Sequence, residues 1–332
     1  MSTADLAAFS NNAVAAASVV YVLALLAHLW EYAVGRRVPV TEAADVPVAV
    51  GARAGDDATP PPSAAPSAAP VAGEDHLRVE KWGRIGLALT MLGCALHLVA
   101  LVTRGLGAEP ARVPWGNMYE FTLAGTFGVS VMYLLLLKRY HLRWMGLFVT
   151  GFLVVVLMLD VLLLYVPAGP LVPALDSYWL VIHVAAAVIA SGAFAVGAIA
   201  SALFLVKTRA EGRGALDPRG YLAKLPATAV LDRVAYRVHA FGFPIWTFAA
   251  LVAGPIWAQY AWGRYWNWDP KEVWAFITWV VYAAYLHARA TAGWRGLAAA
   301  IIALVGFATL VFNFVGINFF FGGGSMHSYA GK

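Results

Sequence analysis

The residues with the clearest chemical character lie in one aromatic stretch, positions 262–272. Three Trp residues fall within seven positions there, although the whole chain of 332 residues holds only 13. The three are Trp262, Trp266 and Trp268. Indole rings favour the headgroup region of a bilayer, but interfacial belts scatter one or two aromatic residues per helix end. The clustering therefore predicts a built surface for something flat rather than a belt.

A helix start follows directly after these Trp residues. Asp269 is a preferred N-cap residue, Pro270 suits the first helical position, and Glu272 stands where a capping box places its carboxylate. Apolar segments run up to this stretch and away from it. The sequence thus predicts a helix that begins at Pro270 and an aromatic cluster that lies beside a bilayer.

Two of the eight histidines, His183 and His327, flank the aromatic stretch in sequence. Two neutral imidazoles suit axial coordination of a haem iron from opposite faces. The Trp rings suit the porphyrin, while Arg264 and Lys271 could meet its propionates. A zinc site is poorly supported because no His, Cys and Asp residues cluster with zinc-ligand spacing, and no GxSxG elbow marks a hydrolase.

Four further histidines have simpler interpretations. His76 and His141 fall in polar segments, where a solvated surface histidine is expected. His28 and His239 stand near the ends of apolar runs, where an interfacial histidine facing headgroups is expected. None of the four is predicted to be a ligand.

Three ionisable residues lie inside or at the end of apolar runs. His97 leaves two interpretations open, a functional ligand or a neutral imidazole bonded to a neighbouring helix. Asp160 could support a ligand histidine, face a polar cavity or pack against a polar partner, and we prefer the last of these. His287 stands at the end of the run that follows the aromatic stretch.

Composition places the chain in a membrane. Hydrophobic residues make up 61% and charged residues 12%, about half the charged share of soluble domains. The single cysteine, Cys94, excludes an internal disulfide, a CxxC redox pair and a cysteine zinc cluster. No Lys or Arg precedes Arg36, so the first apolar run lacks the basic region of a signal peptide and is expected to stay as a membrane span.

Eight apolar runs approach the length of about 20 residues needed to cross a bilayer. In lipid, runs of this length form helices, so the predicted fold is an all-α polytopic integral membrane protein with about eight transmembrane helices. The runs cover positions 13–34, 85–102, 121–137, 144–166, 178–206, 238–257, 273–286 and 297–321.

The chain divides into three predicted parts. Positions 1–35 form an N-terminal transmembrane helix. Positions 36–81 are a cytoplasmic linker, rich in Ala and Pro between 38 and 75, that cannot bury enough apolar surface to order itself. Positions 82–332 form the main membrane domain, with the aromatic motif at 262–274.

Charge sets the predicted orientation. With both termini outside, 18 of the 23 Lys and Arg residues fall in inner segments and five in outer ones, as the positive-inside rule requires. The aromatic stretch, His183 and His327 then all lie on the outer side. The net charge of +5 reflects this topology and does not indicate nucleic-acid binding.

These segments resemble the tryptophan-rich (WWD) haem-handling family, specifically the cytochrome c synthetase subunit of the CcsA/ResC type. Positions 262–274, with Trp274 closing the motif, are similar to its core, and the Pro-Lys-Glu continuation separates this type from related haem lyases and exporters. Positions 115–121 and 286–289 resemble two further family segments. Positions 175–183 and 326–329 resemble the segments that carry the two outer histidines. The resemblance spans roughly 82–329.

The resemblance implies a function in cytochrome c biogenesis by the system II pathway. Haem b, as a transiently bound substrate, would enter from the cytoplasm, pass a membrane site that includes His287, and reach the outer site between His183 and His327. There its vinyl groups would be joined to the thiols of a CxxCH motif in apocytochrome c. The residues implied to contact haem are Trp262, Trp266, Trp268, Asp269 and Trp274, beside the three histidines. No catalytic residue of the chain's own is assigned.

The resemblance also implies partners and a location. A second membrane subunit of the ResB/CcsB type, the apocytochrome and a thioredoxin-like thiol reductant are expected. The expected location is the bacterial plasma membrane, with the active site on the extracytoplasmic side.

Two other functions stay open on the sequence. A haem exporter or chaperone without ligation activity would use the same outer histidines and Trp residues. A bis-histidine membrane cytochrome would need pairs such as His97 with His183 and His28 with His287, and it would leave the Trp stretch without a purpose. We therefore rank the cytochrome well below the synthetase.

Overall fold

A computed structural model describes residues 1–36, 70–291, 293–321 and 325–327. Within these ranges all regular secondary structure is helical, which confirms the predicted all-α class. Most of the predicted linker, residues 37–69, lies outside the described residues. The helices are α1 Thr3–Gly35, α2 Pro70–Leu106, α3 Met118–Tyr140, α4 Gly146–Leu159, α5 Tyr178–Gly212, α6 Tyr221–Lys224, α7 Thr228–Phe248, α8 Gly254–Trp262, α9 Pro270–Ala290, α10 Leu297–Val311 and α11 Ile317–Phe320.

Helix α2 begins earlier than the apolar run predicts. Residues 70–81, assigned to the linker on sequence, are helical. Ion pairs one turn apart join Arg78 to Glu74 and Arg84 to Glu80 on this polar part of the helix. Such pairs stabilise a helix without any apolar face, so the helix extends past the apolar segment that the sequence reveals.

Seven helices within the described ranges are long and apolar enough to cross a membrane. They contain seven of the eight predicted runs almost completely. The eighth run lies in α9, which has 21 residues but is less apolar than these seven helices. This helix is rich in Trp and Tyr, whose indole and hydroxyl groups lower its hydropathy. Helix α9 packs against α7 and α10, and the count of eight crossings stays a prediction.

Helix α5 is the centre of the bundle. It packs against α3, α7 and α10, and a larger share of it is buried than of any other candidate span. Close approach depends on small residues: a Cβ added at Gly192 would lie 2.7 Å from the backbone oxygen of Gly128 in α3. Small residues at helix crossings let backbones pack closely in membrane proteins, so α5 holds a fixed position for the residues at its start.

Three helices contain or end in a π-helical turn, Asp160–Leu164 after α4, Ala249–Ala253 between α7 and α8, and Phe312–Gly316 between α10 and α11. A π turn adds one residue to a helical turn and often occurs at a functional site. All three lie toward the end of the bundle at which α3, α5 and α9 begin, which we call the site end. Nothing in the sequence predicts them.

A buried ionic cluster joins the loops at the site end. Glu120 is fully buried and accepts hydrogen bonds from Arg104 Nε at 3.0 Å and Arg112 Nη1 at 2.6 Å. Arg104 also donates to the carbonyl of Val166, and Arg112 donates to the carbonyl of Gly169 at 3.2 Å. The cluster therefore connects the segment between α2 and α3 to the segment that follows α4.

Two histidine predictions are wrong. His28 and His239 do not face headgroups, since their residues are only 4% and 0% exposed. His28 sits so close to Gly86 and Gly146 that a Cβ at either position would clash with its ring. His239 donates from Nδ1 to the Ala235 carbonyl at 2.7 Å within its own helix. Small neighbours and a hydrogen-bond acceptor, a side-chain carboxylate for His28 and a backbone carbonyl for His239, let each imidazole fill an interhelical space. Their sequence positions do not reveal these spaces.

The remaining histidines agree with a simple interpretation. His76 and His141 are exposed, as predicted. His97 is buried and donates from Nε2 to the Leu123 carbonyl of α3 at 3.0 Å. Of the two interpretations left open for His97, the neutral imidazole bonded to a neighbouring helix is the one that these contacts favour.

Candidate functional site

A cavity of about 580 Å³ opens at the site end. Its walls come mainly from α3, α4, α5, α8, α9, α10 and the three π turns, and from His327 of the C-terminal tail 325–327. Most lining side chains are apolar or aromatic. His183 and His327, more than a hundred positions apart in sequence, both line this cavity. The structure thus brings together the two histidines that the sequence singles out.

His183 is held on a rigid element. It is the sixth residue of α5, whose N-cap Ser177 accepts a hydrogen bond from Trp179 N–H at 3.2 Å. Its Nδ1–H donates to the Ala249 carbonyl at 2.9 Å, and its ring stacks on Trp257 at 5.9 Å with an interplanar angle of 8°. Because a carbonyl can only accept, Nδ1 carries the proton, which leaves the lone pair on Nε2.

His327 is held by the start of α9. Its Nδ1 lies 3.0 Å from Asp269 Oδ1, and Lys271 Nζ donates to the His327 backbone carbonyl at 3.0 Å. The His327 ring packs edge-on against Trp257 at 5.3 Å and Trp262 at 4.6 Å. In its neutral form this imidazole also carries its proton on Nδ1 and its lone pair on Nε2.

The predicted helix start is confirmed, and it has a second role. The Asp269 side chain accepts from Lys271 N–H at 2.9 Å, and Glu272 accepts from Asp269 N–H at 3.1 Å, which completes the capping box. The same Asp269 carboxylate accepts from Ser325 Oγ at 2.8 Å and from Met326 N–H at 2.7 Å. One side chain therefore caps α9 and anchors the tail.

The surroundings of Asp269 and Lys271 shift the pKa values of both side chains. Burial raises the pKa of Asp269, but hydrogen bonds from His327, Ser325 and Lys271 N–H, together with the charge of His327, outweigh it and lower the pKa to about 2. Burial lowers the pKa of Lys271 to about 8, against the attraction of Asp269. At neutral pH the tail is therefore held by a carboxylate.

The motif Trp residues do not form one flat surface. Trp266 lines the cavity, whereas Trp268 is 74% exposed and its ring is perpendicular to that of Trp266, with 5.8 Å between the centroids. Trp262 packs on His327, and Trp274 packs on Phe312 at 4.2 Å outside the cavity lining. The expectation of a single platform is wrong because the rings attach to a turn and a helix start with different directions.

Trp257 was not found from the sequence. It is 2% exposed, it lines the cavity, and it contacts the rings of both His183 and His327. Its Nε1–H donates to the Ala174 carbonyl at 3.0 Å. Since it lies within an apolar run, sequence reasoning treats it as an ordinary core residue.

Arg264 and Lys271, predicted to meet propionates, contact the tail. Arg264 Nη2 lies 3.6 Å from Met326 Sδ, and Lys271 binds the His327 carbonyl. Of the two, Lys271 lines the cavity. A contact between these groups and haem stays a prediction.

The expected polar partner of Asp160 is not present in the described residues. Asp160 is fully buried, lines the cavity, and neither of its carboxyl oxygens has a hydrogen-bond partner there. The charge of Arg104 acts on Asp160, but the Arg104 side chain is bonded to Glu120 and to the Val166 carbonyl instead. Asp160 thus adds a polar group to an apolar wall.

His287 lies far from the cavity, near the opposite end of α9. Its side chain is exposed and makes no hydrogen bond within the described part of the chain. Phe276, Val280 and Ala284 are exposed on the same side of the helix. A haem site at His287 would therefore need a second ligand from outside this part of the chain.

The fold and cavity define a class: a polytopic helical membrane protein with a large apolar cavity that contains two histidines. Comparison with known proteins agrees, since residues 115–323 match the family model described as cytochrome C assembly protein. The chain belongs to this family, as a member of the CcsA type.

Its relatives include cytochrome c biogenesis protein CcsA from Synechococcus sp. (strain JA-3-3Ab), 33% identical over 304 residues, which cover 76% of this chain and 87% of the relative. CcsA from Guillardia theta is 35% identical over 261 residues, 74% of this chain and 85% of the relative. CcsA from Synechococcus elongatus is 35% identical over 293 residues, with 74% of this chain and 86% of the relative covered. The resemblance drawn from the motifs is confirmed.

Proposed function

We propose that this protein acts in cytochrome c biogenesis by holding haem between His183 and His327 and, with a partner subunit, attaching it to the CxxCH thiols of apocytochrome c. The observation that carries the proposal is the pair of imidazoles lining one cavity, each with an acceptor for its Nδ1–H. An occupied Nδ1–H fixes the ring and presents Nε2 to a metal. Family membership supports the role in cytochrome c biogenesis.

The cavity suits haem better than a bare metal ion. Two imidazole ligands suit the axial positions of a haem iron, whereas structural zinc takes four protein ligands. The volume of about 580 Å³ lies within the range of small-molecule sites. Its aromatic and apolar walls suit the faces of a porphyrin, and they exclude the water that would compete for the iron.

The attachment reaction places modest demands on the chain. A client thiol adds across a vinyl group: the C–S bond forms, the C=C π bond breaks, and the thiol hydrogen goes to the other vinyl carbon. No net oxidation occurs, provided that a thioredoxin-like protein has kept the client thiols reduced. The chain contributes iron ligation, orientation and a dry site. Its own Cys94 is not among the cavity residues.

His287 supports a route to this cavity through the membrane. Its exposed position on α9 leaves it accessible to a second membrane subunit of the ResB/CcsB type, which would complete a haem site there. The positive-inside rule then places His287 on the cytoplasmic side and the cavity on the extracytoplasmic side of a bacterial plasma membrane. Haem b would pass from the first site to the second.

The decisive experiment is co-expression with the partner subunit and a reporter apocytochrome. Covalent haem is scored by haem stain after denaturing electrophoresis. A synthetase gives a stained reporter band that depends on this protein. A haem exporter without ligation activity gives haem outside the cell membrane but no stained band, and that result would contradict the proposed reaction.

The purified protein is expected to carry b-type haem without a covalent bond. The chain offers imidazole ligands but no CxxCH motif of its own, so it lacks the pair of thiols that forms the two thioether bonds. Acid-acetone extraction followed by a pyridine haemochrome spectrum measures this. Pigment that stays with the protein after extraction would contradict the prediction.

Replacing His287 with alanine is expected to lower haem occupancy of the distant cavity, because the proposed route passes His287 first. Haem content of the purified variant, co-expressed with the partner, is the measurement. The matched control is Val280→Ala, which alters the same exposed side of α9 without removing an imidazole. Normal haem content in His287→Ala would place the entry route elsewhere.

A further inference from the structure

Asp269 makes more contacts with the tail than a helix cap requires. Its two carboxylate oxygens accept from Ser325 Oγ, Met326 N–H and His327 Nδ1–H at 2.8, 2.7 and 3.0 Å. The side chain is only 2% exposed, and that of His327 13%. Three of its hydrogen bonds therefore come from three successive residues of the tail, whereas the bonds from the backbone N–H groups of Lys271 and Glu272 belong to the cap.

Asp269 itself is not among the residues that line the cavity, whereas His327 is. The carboxylate lies behind the imidazole, on the side of Nδ1. From this position Asp269 can act on the ligand histidine, but it does not contact haem in the cavity directly.

The two histidines differ in what accepts their Nδ1–H. His183 donates to the neutral carbonyl of Ala249, and this oxygen also accepts from the N–H of Gly254, the first residue of α8. His327 donates to a carboxylate. A carboxylate acceptor increases the basicity of the imidazole more than a shared neutral carbonyl does, because it withdraws the Nδ1 proton more strongly.

We propose, as an inference that rests on the proposed function, that Asp269 is a positioning residue: it fixes the ring of His327 for the haem iron and makes His327 the stronger electron donor of the two ligands. The Asp of the aromatic motif is then present for the tail histidine, and the contact between Asp269 and haem implied by the resemblance is not needed. Capping of α9 and assembly of the iron site share one side chain.

Two substitutions separate this role from helix capping. Ser and Asn are N-cap residues about as good as Asp. Asp269→Ser keeps a cap but is too short to hold the tail, while Asp269→Asn keeps a cap and an acceptor without the charge. If Asp269 were only a cap, both variants would behave like the parent protein.

The test uses full-length protein purified in detergent and titrated with haem. Asp269→Ser is expected to weaken haem binding about 10–100-fold, the usual effect of removing the hydrogen-bond partner of a ligand histidine. Asp269→Asn is expected to bind haem more tightly than Asp269→Ser but to raise the reduction potential of the bound haem, because His327 donates less electron density. Asp269→Ser combined with His327→Gly is expected to bind no worse than His327→Gly alone.

A haem-independent measurement follows the tail directly. In a Cys94→Ala background, Met326→Cys is labelled with a maleimide in haem-free protein. Labelling is expected to be faster with Asp269→Ser, because the hydrogen bonds from Ser325, Met326 and His327 are lost. Ser2→Ala, which removes a capping box at the start of α1, is the control and should leave the labelling rate unchanged.

The outcomes are distinguishable. Unchanged haem affinity and unchanged tail labelling in Asp269→Ser would overturn the inference while leaving the proposed function intact. Additive losses in the double variant would also overturn it, since Asp269 would then act independently of His327. Absence of haem binding in the parent protein would overturn the proposed function itself, and the inference with it.

Discussion

Replacing either His183 or His327 with glycine is expected to abolish covalent haem attachment to a reporter apocytochrome, while the protein still accumulates in the membrane. Both imidazoles line the cavity, and neither occupies the tightly packed core. Removal of an iron ligand should cost more than the roughly 10–100-fold loss that follows removal of a ligand's hydrogen-bond partner. Haem stain of the reporter and immunoblots of the protein measure the two effects separately.

Imidazole addition makes this prediction specific. A glycine in place of a ligand leaves space in which added imidazole can bind the iron, so reporter staining should return in part for both variants. His239→Gly is the matched control, because His239 is fully buried and bonds to its own helix. It should lower accumulation, with no recovery by imidazole. Normal staining in His183→Gly or His327→Gly would show that these histidines are not ligands.

Replacing Glu120 with glutamine is expected to destabilise the fold strongly. The change keeps the shape of the side chain but leaves Arg104 and Arg112, both nearly inaccessible to solvent, without their carboxylate. Breaking a buried ion pair by removing one partner costs about 3–5 kcal/mol. We expect a large fall in the melting temperature of the detergent-purified protein and in its amount in membranes.

An exposed ion pair provides the comparison. Glu80 pairs with Arg84 at 2.5 Å, but their side chains are 40% and 72% exposed. Exposed pairs contribute about 0–1 kcal/mol, so Glu80→Gln should change the melting temperature little. Equal effects of Glu80→Gln and Glu120→Gln would contradict the importance of the buried cluster.

Features that depend on neighbouring residues could be predicted from the sequence. The capping box of Asp269 and Glu272 is an interaction over three positions, and the structure contains it. The apolar runs predicted the helices because, in lipid, a run of that length satisfies its backbone only as a helix. His183 and His327 are far apart in sequence, and their pairing came instead from the predicted topology, which places both on the side of the Trp stretch; both line one cavity.

Features that depend on distant contacts could not be predicted. Trp257 is one of several Trp residues in apolar runs, and only the fold brings it between two histidines. The three π turns change the direction of side chains without any characteristic residue type. Asp160 is an isolated carboxyl in sequence; within the described residues neither of its oxygens has a hydrogen-bond partner, and Arg104 is bonded to Glu120 instead.

Helix α9 fixes the distance between the two proposed haem sites. His287 lies 17 residues beyond Pro270, which at the helical rise of 1.5 Å per residue separates it from the start of the helix by about 26 Å. That length approaches the hydrocarbon thickness of a bilayer, about 30 Å. In the proposed route, haem bound at His287 cannot also reach His327, which Asp269 holds at the other end of α9. Haem must therefore leave the site at His287 before the cavity can bind it, so the two sites act in sequence.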